Sequence, residues 1–172
     1  ELYGGYGRNY TNSGVYAGQP EYYDDSDQVV LYTDNLPHLD NQWYLQGAWR
    51  NELEAIVHAR ETTDLEDYVV FKYDARSVNV VIASVAPEGE TAASGDEFIV
   101  YVEVDGQPIA ADSAGDDITF DEEGRSLIRV DSAREYRVVE APSFGQHEIL
   151  LRSNSDRFGM FAVTFGNNLE GA

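Results

Sequence analysis

The sequence contains no cysteine among its 172 residues. This absence excludes disulfide bonds, catalytic thiolates and metal sites built on cysteine. No stretch approaches the ~20 consecutive apolar residues that a membrane-spanning helix needs, so we expect no membrane insertion. Hydrophobic residues make up 42% of the chain and aromatic residues 12%. Such a composition is typical of a folded chain with a sizeable core.

Basic residues are few: 11 lysines and arginines stand against 32 acidic residues, which gives a formal net charge of −21. This excess of negative charge repels phosphates, so we expect neither nucleic acid nor an anionic membrane surface as a partner. Lys72 is the single lysine. A surface rich in carboxylates and almost free of lysine is the pattern we expect of a salt-adapted, halophilic protein. An ordinary acidic domain from a GC-rich genome is the alternative interpretation.

Salt adaptation predicts that the unfolding temperature rises steeply between dilute buffer and molar KCl. The physical reason is that salt screens the repulsion among the acidic side chains, which opposes the compact state. Thermal unfolding followed by circular dichroism over a range of KCl concentrations measures this effect. An unfolding temperature that does not respond to KCl would contradict the interpretation.

Short runs of Val, Ile, Tyr and Phe, mostly alternating with polar residues, recur from residue 28 onward and predict β-strands separated by turns. We expect an all-β fold, an antiparallel β-sandwich of the jelly-roll type. The run from Val78 to Ile82 is apolar on both faces, which predicts a central strand. The candidate strands are residues 28–33, 43–50, 53–60, 68–74, 77–85, 97–105, 117–121, 125–131, 134–140, 147–152 and 158–165.

The first 27 residues differ from the rest of the chain. They are rich in Gly, Tyr, Asn and Asp and show no periodicity, which predicts a linker or an extended arm that wraps the core. We expect the jelly-roll sandwich to occupy residues 28–168 and a short tail to occupy residues 169–172.

Two neighbouring candidate strands carry the residue types of a ligand site. Trp43 and Trp49 share one face of the strand 43–50, where an indole ring can stack on a sugar or fill the core. The opposite face and the next strand combine aromatic, amide and charged groups on what we predict to be one open surface. An ordinary solvated sheet face is the alternative. The ligand residues predicted here are Tyr44, Gln46, Trp49, Glu54, His58 and Arg60.

Two further residues admit both a ligand role and a structural role. Arg76 precedes an apolar strand, where it is expected to pair with a carboxylate such as Glu54 or Asp105, or to contact a ligand. Tyr136 shares a face of its strand with Arg134, and its hydroxyl can either meet a ligand or satisfy a backbone group.

Metal and catalytic signals are weak. The three histidines, His38, His58 and His147, have no metal-ligand spacing among them, so we expect no zinc site. The acidic residues within 24–27 and 112–121 carry the oxygen ligands that Ca²⁺ takes, with solvated acids as the alternative. We therefore expect no cofactor. Whether a structural Ca²⁺ is bound stays open. With 32 acidic residues, paired carboxylates carry no specific signal for a hydrolase.

Seven pieces of the sequence, taken in order, resemble the C-terminal domain of DipZ-type thioredoxin-like proteins. In that family a thioredoxin-fold domain is followed by a β-sandwich similar to carbohydrate-binding modules. No piece is specific by itself. The occurrence of all seven in this order is what carries the resemblance. The pieces are ELYGGY at 1–6, WYLQGAW at 43–49 with Glu54 and Ala55 beyond it, FKYDAR at 71–76, VEVDG at 102–106, Gly115 and Asp116, REY at 134–136 and FAVTFG at 161–166.

The resemblance implies a non-catalytic binding module that accompanies a thioredoxin-fold domain outside the cytoplasm and recognises carbohydrate or a substrate protein. The chain lacks the Cys-x-x-Cys pair of a thioredoxin domain, so redox activity cannot be carried over. We expect it to be the accessory domain at best, and whether it is an excised piece of a longer protein stays open. The alternative is a structural domain that packs on the thioredoxin-fold domain or mediates oligomerisation without binding sugar. A hydrolase is the least supported hypothesis.

Overall fold

The structure, a computed structural model, describes residues 1–8, 16–87, 89–90 and 96–167. These residues form eleven strands and one short 3₁₀-helix, with no α-helix among them. No helical segment of this part is long and apolar enough to cross a membrane. The elements are β1 (Leu2–Tyr3), the 3₁₀-helix (Pro20–Tyr23), β2 (Val29–Tyr32), β3 (Trp43–Asn51), β4 (Ile56–His58), β5 (Tyr68–Ser84), β6 (Phe98–Val104), β7 (Gln107–Pro108), β8 (Ile118–Phe120), β9 (Ser126–Val130), β10 (Arg134–Arg152) and β11 (Phe158–Gly166).

The strands pair antiparallel in the order β1-β11-β4-β3-β5-β10-β6-β9-β8, with β2 added to β3 and β7 to β6. The two longest strands, β5 and β10, pair along most of their lengths. β5 changes its second partner on the way: its first part pairs with β3 and its second part with β11. The sheet therefore folds over itself around one core, as predicted for an all-β antiparallel sandwich.

Side-chain alternation sets the core as predicted. In β6, Phe98, Val100 and Val102 are buried, while Ile99 and Tyr101 are partly exposed. The apolar run from Val78 to Ile82 is central, because it pairs with β10 on one side and β11 on the other.

Two predicted strand breaks do not exist. The predicted strands 68–74 and 77–85 lie in the single strand β5, which ends at Ser84, and the predicted strands 134–140 and 147–152 lie in the single strand β10. The break predicted between residues 140 and 147 is an irregularity within β10, where the pairing with β5 shifts between Glu140 and Gly145. Turn residues such as Ser and Gly also mark β-bulges, which bend a strand without ending it.

The described parts of the predicted N-terminal arm lie against the core. β1 pairs with β11, and Leu2 and Tyr22 are buried. The ring of Tyr22 meets Trp43 edge-on, with 4.6 Å between the ring centroids. The predicted tail at 169–172 lies outside the described residues.

Candidate functional site

The strand that carries the predicted ligand residues is buried on both faces. Tyr44 and Trp49 are each 1% exposed. The indole N–H of Trp49 donates to the Gln46 carbonyl oxygen (2.7 Å), and the Tyr44 hydroxyl accepts the backbone N–H of Leu39 (3.0 Å). A Cβ on Gly18 would lie 2.2 Å from the Tyr44 ring, so the segment before β2 lies directly on that ring. Chain segments cover the surface that the sequence predicted to be open, and the two rings belong to the core.

Gln46 lies in the same strand, is partly buried, and hydrogen-bonds to backbone. Its side-chain oxygen accepts the N–H of Asp34 (2.9 Å). The strand 43–50 pairs with the following strand, and Trp49 lies opposite His58 between β3 and β4. Their rings are 5.0 Å apart. This pair is buried, since His58 is 1% exposed.

Asp67, which is 1% exposed, joins the buried His58 to Arg60, whose side chain is 45% exposed. Arg60 forms a bidentate pair with the Asp67 carboxylate, with both nitrogen–oxygen distances 2.7 Å. The His58 Nε2 lies 2.9 Å from Asp67 Oδ2, and His58 Nδ1 lies 2.8 Å from the Ser155 carbonyl oxygen. The backbone N–H of Ala48 also donates to Asp67 (3.2 Å). A buried carboxylate that is fully hydrogen-bonded is typical of a structural role.

The pKa of Asp67 is lowered from its ordinary value. Burial by itself would raise this pKa, but the hydrogen bonds from Arg60, His58 and the Ala48 N–H outweigh burial. Gly47 makes room for the carboxylate, since its φ is +93° and a Cβ there would lie 2.0 Å from Asp67 Oδ1. The sequence reasoning assigned His58 and Arg60 to a ligand surface and did not consider Asp67.

Arg76 and Tyr136 both donate hydrogen bonds to backbone carbonyl oxygens. Arg76 Nη2 donates to the Pro142 carbonyl oxygen (2.7 Å), rather than to Glu54 or Asp105 as the sequence had suggested. Tyr136 is fully buried, and its hydroxyl donates to the Ser132 carbonyl oxygen (2.7 Å). The guanidinium of Arg134 lies 3.8 Å from the centre of the Tyr136 ring. Of the two roles considered for Tyr136, the one in which its hydroxyl satisfies a backbone group therefore agrees with its contacts.

His38, which the sequence reasoning left without a role, joins the loop before β3 to β10. Its Nδ1 lies 2.7 Å from Glu148 Oε2 and its Nε2 lies 2.8 Å from Asp34 Oδ1. Burial lowers the pKa of His38, but the hydrogen bonds with the two carboxylates outweigh burial and raise it above the ordinary value. The contribution of the imidazolium to stability is thus present in full below a pH of about 6.5 and lost as pH rises through the folded-state pKa.

A cleft of about 440 Å³ lies at the N-terminal segment, and we refer to it as the N-terminal cleft. Its lining includes two partly exposed aromatic rings, an exposed leucine, a cation and a carboxylate. These side chains are Tyr3, Phe161, Leu53, Arg8 and Glu54. Of the eight predicted ligand residues, Glu54 is the one in the described lining of this cleft.

Close backbone contact builds this cleft. The N–H of Gly7 donates to the Leu53 carbonyl oxygen (2.8 Å). A Cβ on Gly5 would lie 2.4 Å from that oxygen, and a Cβ on Gly7 would lie 2.6 Å from it. Only glycine fits so close to a neighbouring backbone. The glycines of the segment GGYG at residues 4–7 are the sequence signal that could have pointed to this site.

No group of three His, Asp or Glu side chains in the described part of the chain is arranged to hold a metal ion. Two carboxylates of the acidic segment 112–121 bind arginines instead: Asp117 contacts Arg134 and Asp121 contacts Arg125, both at 2.8 Å.

Two solved structures are similar to part of this chain. One is a family two carbohydrate esterase from Clostridium thermocellum in complex with cellohexaose, and the other is an active site mutant of such an esterase from the same organism. For each, the identity is 15%, the TM-score is 0.43, and the match covers 66% of this chain and 27% of the esterase chain. A search of curated proteins found no match. The family whose profile matches residues 1–166 is described as "Thioredoxin like C-terminal domain", and the chain belongs to this family.

Proposed function

We propose that this chain is a non-catalytic binding domain that acts beside a thioredoxin-fold domain and holds a carbohydrate in the N-terminal cleft. The observation that supports the proposal most directly is the lining of that cleft, where the rings of Tyr3 and Phe161 stand beside Arg8 and Glu54. Apolar walls with a few polar groups are the usual make-up of a small-ligand site.

The chemistry of the lining suits a neutral sugar. The Phe161 ring and the exposed Leu53 offer an apolar surface to the C–H face of a pyranose. Glu54 can accept from its hydroxyl groups, and Arg8, which lies over the Tyr3 ring, can donate to them. The formal net charge of −21 disfavours an acidic polysaccharide. A neutral polysaccharide is therefore the ligand class we propose.

The position of the cleft supports a role beside a partner domain. Residues of the N-terminal segment form one wall, and a thioredoxin-fold domain that precedes this family's domain would join the chain on that side. A sugar held there would lie within reach of the partner. In agreement with the resemblance noted above, we place the protein outside the cytoplasm, in the periplasm or at the cell surface.

A polysaccharide array tests the proposal, using the folded protein in molar KCl with Ca²⁺ either present or chelated. The variant Leu53→Ser alters the cleft, and Leu39→Ser is its matched control, because the two leucines are 57% and 59% exposed and Leu39 lies outside the cleft. We expect Leu53→Ser to weaken binding at least about fivefold and Leu39→Ser to leave it unchanged. Equal binding by the two variants would contradict the assignment of the site, and a blank array would contradict sugar binding.

A second candidate function is docking of the thioredoxin-fold domain itself onto this cleft. The exposure of Leu53 next to the N-terminal segment favours it, since exposed apolar side chains often mark contacts with another domain. A blank array together with binding of the separately expressed thioredoxin-fold domain, weakened by Leu53→Ser, would support docking over sugar binding.

A further inference from the structure

The loop between β2 and β3 turns its apolar side chains outward. Leu36 and Leu39 are 40% and 59% exposed, and His38 is the one residue of the segment 35–39 that is not exposed. No buried apolar side chain therefore holds this segment on the sheet. We propose that residues 35–39 form a flap that protonated His38 holds closed and that opens when His38 loses its proton. This proposal does not rest on the function proposed for the N-terminal cleft.

Both ends of the flap are fixed by contacts that do not involve His38. Before the flap, the backbone N–H of Asp34 donates to Gln46 Oε1 (2.9 Å), and Asp34 Oδ2 accepts from the Tyr68 hydroxyl (2.8 Å). After it, Asp40 forms a parallel β-bridge with Lys72 of β5. Opening is thus confined to the few residues between two anchored points, which makes it a local motion rather than an unfolding of the sandwich.

The imidazole of His38 lies between two carboxylates. Its Nδ1 is 2.7 Å from Glu148 Oε2 on β10, and its Nε2 is 2.8 Å from Asp34 Oδ1. A carboxylate only accepts hydrogen bonds, so both ring nitrogens must donate, and only the imidazolium has two N–H groups. When the ring loses one proton, one nitrogen turns a lone pair to a carboxylate oxygen, and that contact changes from attractive to repulsive.

The groups around the imidazole include no described cation that replaces its charge. Lys72 lies opposite Glu148 in the pairing of β5 with β10 but forms no ion pair with it. From β3, the ring of Tyr44 faces the imidazole, with 4.6 Å between the ring centroids. Burial and the hydrogen bond to the loop carboxylate raise the pKa of Tyr68 to about 12, so this phenol stays neutral. The Asp105 carboxylate, just beyond β6, accepts the backbone N–H of Glu148 (2.9 Å).

The direction of the switch follows from where the proton is held more tightly. Burial lowers the pKa of His38, but the hydrogen bonds with Glu148 and Asp34 outweigh burial and raise it above the ordinary value. The closed flap is therefore stabilised in full below a pH of about 6.5, and this stabilisation is lost as pH rises through the higher pKa of the closed state. Opening frees the backbone N–H of Leu39, which donates to the Tyr44 hydroxyl (3.0 Å) in the closed flap.

Solvent-exchange NMR of the Leu39 amide, in molar KCl between a pH of about 5.5 and about 8.5, tests the inference. After correction for the intrinsic exchange rate, the protection of this amide should fall at least about fivefold, the effect of one lost hydrogen bond. The midpoint of the fall should coincide with the titration of the His38 ring, followed by NMR in the same samples. The amide of Val80, in a strand paired on both sides, should stay protected throughout.

Three variants separate the flap from a general effect of pH. His38→Ala removes the donors, so Leu39 should be weakly protected over the whole range. Glu148→Gln supplies an amide that can accept from a protonated ring nitrogen or donate to a neutral one, so the flap should stay closed at both ends of the range. His147→Ala is the matched control, because His147 also contacts a carboxylate, that of Asp105 (2.7 Å), but lies outside the loop. It should keep the wild-type pH dependence of Leu39.

The outcomes decide the proposal. Protection of Leu39 that stays constant while His38 titrates would overturn it, as would wild-type protection in His38→Ala at low pH. Loss of protection at Val80 together with Leu39 would also overturn it, because the whole sandwich would then be opening. A pH-dependent flap in wild type and His147→Ala, closed in Glu148→Gln and open in His38→Ala, would establish the switch.

Discussion

Trp49→Ala lowers the free energy of unfolding by about 3–5 kcal/mol, the usual range for removal of a large buried aromatic side chain. The indole is 1% exposed and meets the ring of Phe158 edge-on at 5.7 Å and the ring of His58 at 5.0 Å. Its N–H also donates to the Gln46 carbonyl oxygen. The substitution leaves a cavity inside the sandwich and an acceptor without its donor. Denaturant unfolding in molar KCl measures the change.

Phe144→Ala is the control for this prediction, because the Phe144 side chain is 54% exposed. We expect its free energy of unfolding to stay within about 0.5 kcal/mol of wild type. A loss below about 1 kcal/mol in Trp49→Ala would contradict the burial of the indole. It follows that binding lost in Trp49→Ala would report unfolding, so variants of the exposed Leu53 are the better probes of a sugar site.

Asp67→Asn is the second substitution with a large expected effect, about 2–3 kcal/mol of destabilisation, because it removes the charge of a buried carboxylate and leaves hydrogen-bond donors without an acceptor while keeping the side-chain size. Asp67 accepts hydrogen bonds from Arg60, His58 and the Ala48 N–H. An amide presents two N–H groups in place of one of these oxygens and leaves donors unpaired. Denaturant unfolding at neutral pH and molar KCl checks the value.

A surface acid provides the comparison. Asp121→Asn removes one partner of the solvent-exposed pair with Arg125, and its free energy of unfolding should stay close to that of wild type. Similar losses in the two variants would mean that burial of Asp67 does not strengthen its interactions.

Comparison of wild type with Asp67→Asn also predicts how the difference in their stability changes with pH. The pKa of Asp67 is lowered in the folded state, so the unfolded chain takes up the proton first as pH falls. The stabilisation is complete above the unfolded pKa of about 3.9 and is lost as pH falls through the lower folded pKa. The stability difference between wild type and Asp67→Asn should therefore narrow below pH of about 4. A difference that widens in acid would contradict this assignment.

Period-two alternation was sufficient to predict the strands and their inward faces. In β6 the buried face of Phe98, Val100 and Val102 follows from the sequence, because neighbouring side chains of a strand must point to opposite sides. The same information could not separate a turn from a bulge near Gly145. Ser and Gly occur in both, and the difference lies in whether β5 continues to pair beyond them.

Alternation also could not say what covers a strand face. It placed Tyr44 and Gln46 correctly opposite Trp49, but the prediction that this face is open was wrong, since the segment at Gly18 and the residues before β3 lie over it. The segments that cover β3 are distant from it in sequence, so nothing in the sequence of β3 itself predicts them.

The sequence by itself determined the absence of thiol chemistry, the acidic surface, the all-β class and the resemblance that the family match confirms. Only the tertiary structure decided that Trp49 and His58 lie in the core, that Glu54 lines a cleft with Tyr3, and that Tyr73 faces His147 across a strand pair. The physical reason is the sequence separation between the residues that each feature involves. Strand propensity and alternation depend on adjacent residues, whereas a cleft forms where segments from different parts of the chain meet.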